Sequence, residues 1–114
     1  MIGMKMIEAV IRPFKLDEVK SALTESGVTA MTVSEVLGAG PRSARNDIYR
    51  GLEYTRLVPG LKLEVAVPDR LCDQMVRIIT RAARTGQRGA GVIFVSTLDG
   101  ATKVGTGECG EAVL

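Results

Sequence analysis

The residues best equipped for chemistry crowd into one stretch. Between Gly38 and Gly60 stand four arginines (Arg42, Arg45, Arg50 and Arg56), two carboxylates (Asp47 and Glu53) and both tyrosines of the chain, Tyr49 and Tyr54. Guanidinium forks engage carboxylates, carbonyls and phosphates bidentately. The mixture is too polar for a core and too aromatic for a plain linker. Gly38, Gly40 and Pro41 at one end and Pro59 and Gly60 at the other predict that neither flanking strand runs through it. A long connection of this kind in a small domain reads as an exposed effector loop on a rigid scaffold. A plain hairpin insertion is the alternative.

A second stretch, Thr85-Gly86-Gln87-Arg88-Gly89-Ala90-Gly91, offers backbone N–H groups free of Cβ obstruction, a hydroxyl and a guanidinium. Such a turn can cradle a phosphate, although a helix-to-strand turn also uses glycines. Catalytic chemistry has less to work with. The chain has no His, so the commonest general base is absent. Cys109 has no His to activate it, and Asp69 reads as a helix N-cap. Arg12 lies where an anion-cradling loop would follow the first strand, but Pro13 and Phe14 replace the glycines such a loop needs. A small phosphate-handling enzyme is therefore the weaker reading, and the expectation is a protein that is not an enzyme. Cys72 and Cys109 form no CxxC pair, so no metal site is expected.

Composition narrows the partners. A net charge of +2 gives no electrostatic case for nucleic acid. The first three strands of the body carry no aromatic for base stacking, and Phe94 stands alone in the fourth. No apolar run approaches membrane-spanning length, and the opening residues lack a signal-peptide core. The expectation is a cytoplasmic protein with free thiols.

The chemistry must be held by a small scaffold. At 114 residues the sequence predicts a single domain, 1–114. The spacing predicts strand one over Met4–Ile11, helix one from Leu16 to about Ser26 with Gly27 as its stop, and strand two over Val28–Leu37. After the long loop come strand three over Leu61–Val67, a helix carrying Leu71, Met75, Ile78, Ile79 and Ala82, and strand four over Val92–Leu98. The glycine-rich residues 99–114 read as an irregular tail. Lys5–Pro13 is echoed by Lys62–Pro68, each followed by a helix, which predicts a duplicated βαβ unit. That is a ferredoxin-like α+β sandwich with both helices on one face of an antiparallel sheet. The other face reads as apolar with little polar relief, which predicts a closed homo-oligomer.

Several segments together resemble the PII family of nitrogen-regulatory signal-transduction proteins. They are Met4–Val19, Gly27–Val36, Tyr49-Arg50-Gly51-Leu52-Glu53-Tyr54, Thr85–Val95 and Thr106-Gly107-Glu108, which between them span nearly the whole chain. The resemblance implies a homotrimer with adenine nucleotide (ADP, AMP or ATP) in clefts between subunits. It also implies a long loop, about 38–60, that docks on a target such as a membrane transporter or a regulatory enzyme. The Gly-rich turn about 85–91 corresponds to the family's phosphate loop, and residues about 99–114 to its C-terminal loop.

Carried over residue by residue, the resemblance assigns Thr32, Gly40, Thr85, Gly86, Gly89 and Gly91 to nucleotide binding, and Arg42, Gln87, Arg88 and Lys103 join them as candidate nucleotide-binding residues. It assigns Tyr49, Arg50, Gly51, Glu53 and Tyr54 to partner docking, with Tyr54 matching a tyrosine that some members uridylylate. The chain departs from the family where ligands sit. Pro41 and Arg42 replace an Arg-Gln pair, and Gly60 replaces a lysine that meets 2-oxoglutarate. Ala90, Val92, Lys103 and Gly105 replace charged residues near the phosphates. The expectation is a divergent member with weak or absent 2-oxoglutarate binding. The alternatives are a nucleotide-independent adaptor and a sensor of another effector, for example one linked to bicarbonate or metal uptake.

Overall fold

The computed structural model describes residues 3–39, 46–49, 52–55, 57–87 and 91–114. The body is one sheet backed by two helices. Its elements are β1 (Met4–Ile11), a 3-10 turn (Pro13–Lys15), α1 (Leu16–Glu25), β2 (Thr32–Gly38), β5 (Val58–Pro68), α2 (Asp69–Ala83) and β6 (Gly91–Leu98). β3 (Asn46–Tyr49) and β4 (Leu52–Thr55) form a separate two-stranded ribbon between β2 and β5. The four body strands run in the order β2-β5-β1-β6, every pair antiparallel. The two strands that echo each other in sequence, β1 and β5, lie side by side at the centre. This is the ferredoxin-like order that the duplicated βαβ pattern predicts.

Alternation sorts the two faces. Ile7, Ala9 and Ile11 of β1 and Leu63, Val65 and Val67 of β5 are buried against Val19 and Leu23 of α1 and Cys72, Met75, Ile79 and Ala83 of α2. On α2 the buried line is thus Cys72-Met75-Ile79-Ala83, and Leu71, Ile78 and Ala82 flank it half-buried. α1 ends as Gly27 requires: at φ 95° it sends its N–H to Thr24 O at 3.1 Å while Val28 N–H reaches Leu23 O at 3.0 Å. These two bonds are the Schellman stop.

Four local expectations are corrected. β2 begins at Thr32 rather than Val28, because the Val28 amide is used by the helix stop and Val28 and Met31 pack against the core. β5 does run through Pro59 and Gly60. Its pairing with β1 stops at Leu61, so those residues have a strand on one side only, where a missing N–H is tolerated. The long loop itself contains a two-stranded hairpin, the β3–β4 ribbon. Asp69 is the first residue of α2 and caps nothing with its side chain; its carboxylate lies 3.3 Å from Lys5 Nζ. Residues 99–114 are not a frayed tail. Thr102 bridges Cys109, Lys103 N–H donates to Glu108 O at 2.8 Å, and Gly110–Val113 forms a 3-10 turn.

The face away from the helices is also less apolar than expected. Cross-strand register puts Met6, Glu8 and Val10 in line with Lys62, Glu64 and Ala66, and with Val92, Phe94 and Ser96. Phe94 is 58% exposed and Val92 47%, but Glu8, Glu64 and Lys62 occupy the middle of the same face. Glu8 sits directly opposite Glu64, an unfavourable like-charge pair. Lys62, 3.9 Å from Glu64, offsets part of it.

Candidate ligand site, divided along the sheet

Thr32 opens β2 and stands opposite Glu64 of β5. β5 runs on past this point to Pro68 with no β2 partner, because β2 has already turned back toward α1. The edge left open borders a cavity of about 520 Å³. Met6, Ala66, Leu71 and Met75 give it apolar walls, while Thr32, Glu64, Arg70 and Glu111 give it polar ones. Its volume lies in the range of small-molecule sites. Arg70 projects from the first turn of α2 and forms a charge-assisted hydrogen bond and ion pair with Glu111 of the C-terminal 3-10 turn.

The Gly-rich turn lies elsewhere. Thr85 and Gly86 follow the far end of α2, and Thr85 Oγ1 accepts the Gln87 N–H at 3.2 Å. Gly86 holds a φ of 78°, which suits glycine. Gly91 starts β6 at φ 136°, and a Cβ there would lie 2.0 Å from Val10 O. Gly91 thus has a packing duty, close approach of β6 to β1, whatever else it does. A second, smaller cavity of about 290 Å³ lies at this end, lined by Val10, Ile11, Ile79, Arg84 and Gly91. Lys103 stands at the opposite end, exposed in the C-terminal hairpin beyond Leu98.

Register measures the separation. Gly91 is opposite Ile11 and Leu98 is opposite Met4. Those ends are roughly 23 Å apart at about 3.3 Å per residue. Within one chain, therefore, Thr85, Gly86, Gln87 and Gly91 sit at one end of the sheet, Thr32 partway along, and Lys103 past the other end. Gly40, Arg42, Arg88, Gly89, Arg50 and Gly51 lie outside the described residues, as do Pro41 and Ala90. The ribbon sets Asp47 opposite Tyr54, Ile48 opposite Glu53 and Tyr49 opposite Leu52.

The model of the family "Nitrogen regulatory protein P-II" matches residues 4–108. The chain belongs to the PII family. Curated relatives agree. The nitrogen regulatory protein P-II of Rhizobium etli is 46% identical over 112 residues, covering 97% of this chain and all of that protein. That of Microchaete diplosiphon is 49% identical over 106 residues, covering 92% of this chain and 95% of the relative. Among solved structures, a crystal structure of Arabidopsis thaliana PII bound to citrate superimposes with a TM-score of 0.81 at 32% identity, over 96% of this chain and 91% of that one. PII proteins are signal-transduction regulators of nitrogen metabolism, and this chain carries their fold.

Among the cavity residues that sequence reasoning did not assign to the site are Met6, Glu64, Arg70 and Glu111. Glu64 needed the β2–β5 register, and Met6 that of β1 and β5. Arg70 and Glu111 are 41 residues apart and meet only because the tail folds back. Cys72 is buried, and burial, with Asp73 beside it, pushes its thiol above the usual range. Cys109 is exposed, with its sulfur 3.6 Å from Thr102 Oγ1. Among the described residues no helix is long and apolar enough to cross a membrane.

Proposed function

We propose that this PII chain works in the cytoplasm as a homotrimer that binds adenine nucleotide, ADP, AMP or ATP, between subunits and has no catalytic role of its own. The segment Gly38–Gly60 then controls a membrane transporter or regulatory enzyme, with Arg50 and Tyr54 at the docking surface. One observation carries this reading: the Gly-rich turn and Lys103 of a single chain lie beyond opposite ends of strands roughly 23 Å long, too far apart for one small ligand. A second copy, bringing its Gly-rich turn to the first copy's Thr32, would complete the site. The exposed Val92 and Phe94 on the open face support association. Titration calorimetry with ATP, ADP and AMP, paired with light scattering, tests it. A stable monomer at micromolar concentration, or no heat with any of the three, would count against it.

Gly60 favours a particular effector chemistry. A Cβ at this position would meet only Ile11 O at 3.4 Å and the Val10 and Val36 methyls at 3.5 and 3.7 Å. It supplies no cation for a dicarboxylate. Binding of 2-oxoglutarate is accordingly weak or absent, and tight Mg-ATP-dependent binding in the same calorimeter would contradict this.

A further inference from the structure

Near the end of the sheet where β2 gives way to the long segment, α2 presents a line of cations. Arg77 and Arg81 stand one turn apart on its exposed side, about 6 Å along the axis. Arg84, also exposed, follows its last residue. Among the described residues none of the three forms an ion pair. Asp73, one turn before Arg77, forms none either, and Glu18 near the start of α1 is held by Lys15 at 3.3 Å.

The cavity of about 290 Å³ lies beside this line. At about 100° per residue, Val76, Thr80 and Arg84 fall on the flank of α2 between buried Ile79 and exposed Arg77. All three line the cavity, together with Ile11, Ile79 and Ile93. The Thr80 hydroxyl donates to Val76 O at 2.7 Å. The wall is therefore aliphatic, with Arg84 as its one charged residue among those described. Ile93 and Val95 stand opposite Ala9 and Ile7 on the helix-backed face, yet Val95 is 47% exposed, so the helices stop short of this margin.

We propose that this flank of α2 is a second docking surface, and that its occupant is an acidic amphipathic helix of the target protein. Carboxylates at helical spacing meet Arg77, Arg81 and Arg84, and one aliphatic side chain of the same helix enters the cavity. The proposal rests on the reading of Gly38–Gly60 as the docking segment. Gly38 pairs with Val58, and Ile11 pairs with both Leu61 and Gly91. The root of that segment, the cavity and the end of α2 thus share one end of the body, and a target held by the segment is brought beside Arg84. Arginine forks grip carboxylates bidentately. The cavity is ample for one aliphatic side chain and sits at the lower limit of small-molecule sites. A lipid surface fits less well, because the large exposed apolar residues among those described all lie off α2, leaving the helix nothing to insert. Copies meeting through the open face leave the helices outward.

The probe is a fluorescein-labelled helical peptide with glutamates at i, i+4 and i+7 beside one leucine, read by anisotropy against the full chain. The wild type should bind it and should not bind the counterpart with lysines in place of glutamates. Arg77→Glu combined with Arg81→Glu should weaken binding at least about tenfold, since two exposed pairs are lost and repulsion is added. Serine in place of the peptide's leucine should weaken it about tenfold. Val76→Trp, which fills the cavity, should bind the leucine and serine peptides alike; the exposed arginines keep the test open if that variant does not fold. Lys20→Glu, a charge reversal on α1, should bind as the wild type does. Equal binding by the wild type and the double variant, or of the glutamate and lysine peptides, would overturn the proposal. Dissociation of the oligomer in Val76→Trp would give the cavity to a second copy and overturn it too. So would arginine-dependent binding to phosphatidylserine vesicles with none to the peptide. The reading of Gly38–Gly60 fails separately, if Arg50→Ala still captures the target, and the peptide then decides this surface by itself.

Discussion

Ile7 and Glu8 are neighbours in β1, yet they belong to different environments. Ile7 is fully buried under the helices, along with Leu63, Val65 and Ile79. Glu8 faces away from them, between Glu64 on β5 and Phe94 on β6. One face of the sheet is aliphatic and closed by α1 and α2. The other mixes carboxylates, a lysine, a phenylalanine and small residues, and among the described residues nothing covers it. The contrast separates two tasks. The helix-backed face supplies the stability of one chain. The open face and the sheet's ends carry groups that make little sense for one chain's stability, including a like-charge pair at its centre. On the proposed reading they are surfaces for ligands and for other copies.

Substitutions that invade the closed face should cost most. Leu63→Ala or Ile79→Ala leaves a cavity where neither residue has any solvent exposure. Each should lower unfolding free energy by about 2–5 kcal/mol in urea titrations. A loss below about 1 kcal/mol would mean the core is looser than the burial implies. Gly91→Ala ranks next. Its new Cβ would collide with Val10 O in a backbone conformation L residues rarely adopt, so β6 must shift. The expected loss is about 1–3 kcal/mol, the range of overpacking, and an unchanged melting temperature would show that Gly91 has no packing duty.

The open face should respond weakly. Glu8→Gln removes one member of the like-charge pair with Glu64 and should change stability by less than about 1 kcal/mol, in the favourable direction. A large destabilisation would show that Glu8 pairs with something that completes the face, and so would sharpen the contrast. Arg50→Ala and Tyr54→Phe should shift stability by less than about 0.5 kcal/mol, while Arg50→Ala abolishes partner capture in a pull-down. A clear fall in melting temperature in either variant would withdraw the docking role.

The two thiols give the smallest effect. Cys109 should react with a maleimide in the native state and Cys72 only on unfolding. The Cys72 pKa is raised in the folded chain, so its contribution to stability is present at neutral pH and lost as pH climbs past the usual thiol range. Cys72→Ala should flatten that alkaline decline, measured as melting temperature against pH.

Much of this arrangement was legible before any coordinates. Period-two alternation marked β1 and β5, helical spacing marked α1 and α2, and the echo between Lys5–Pro13 and Lys62–Pro68 gave the topology. Those signals are local, and the core they describe is aliphatic throughout. The misses have a common physical cause. Pro59 and Gly60 read as breakers because propensity cannot know that β5 has only one neighbour there. The tail read as irregular because its glycines hide a hairpin whose partners, Arg70 above all, are distant in sequence. The open face read as apolar because Glu8, Lys62 and Glu64 lie on separate segments and only strand register brings them together. The Thr32 cavity shared that difficulty: Met6 and Glu64 reach it through strand register and Glu111 through the folded tail.

The central claim is that one chain holds two incomplete parts of a ligand site. It is tested most directly by mixing two crippled chains. Thr32→Glu and Thr85→Glu each put a carboxylate where a nucleotide would bind, so each homo-oligomer alone should bind ATP poorly in calorimetry. The two are then unfolded together in equal amounts and refolded. If Thr32 of one copy works with Thr85 of the next, about a quarter of the sites in randomly mixed trimers pair two intact halves, and that fraction should bind as tightly as the wild type. A mixture that recovers no tight sites, while refolded wild type recovers all of its own, would contradict the account.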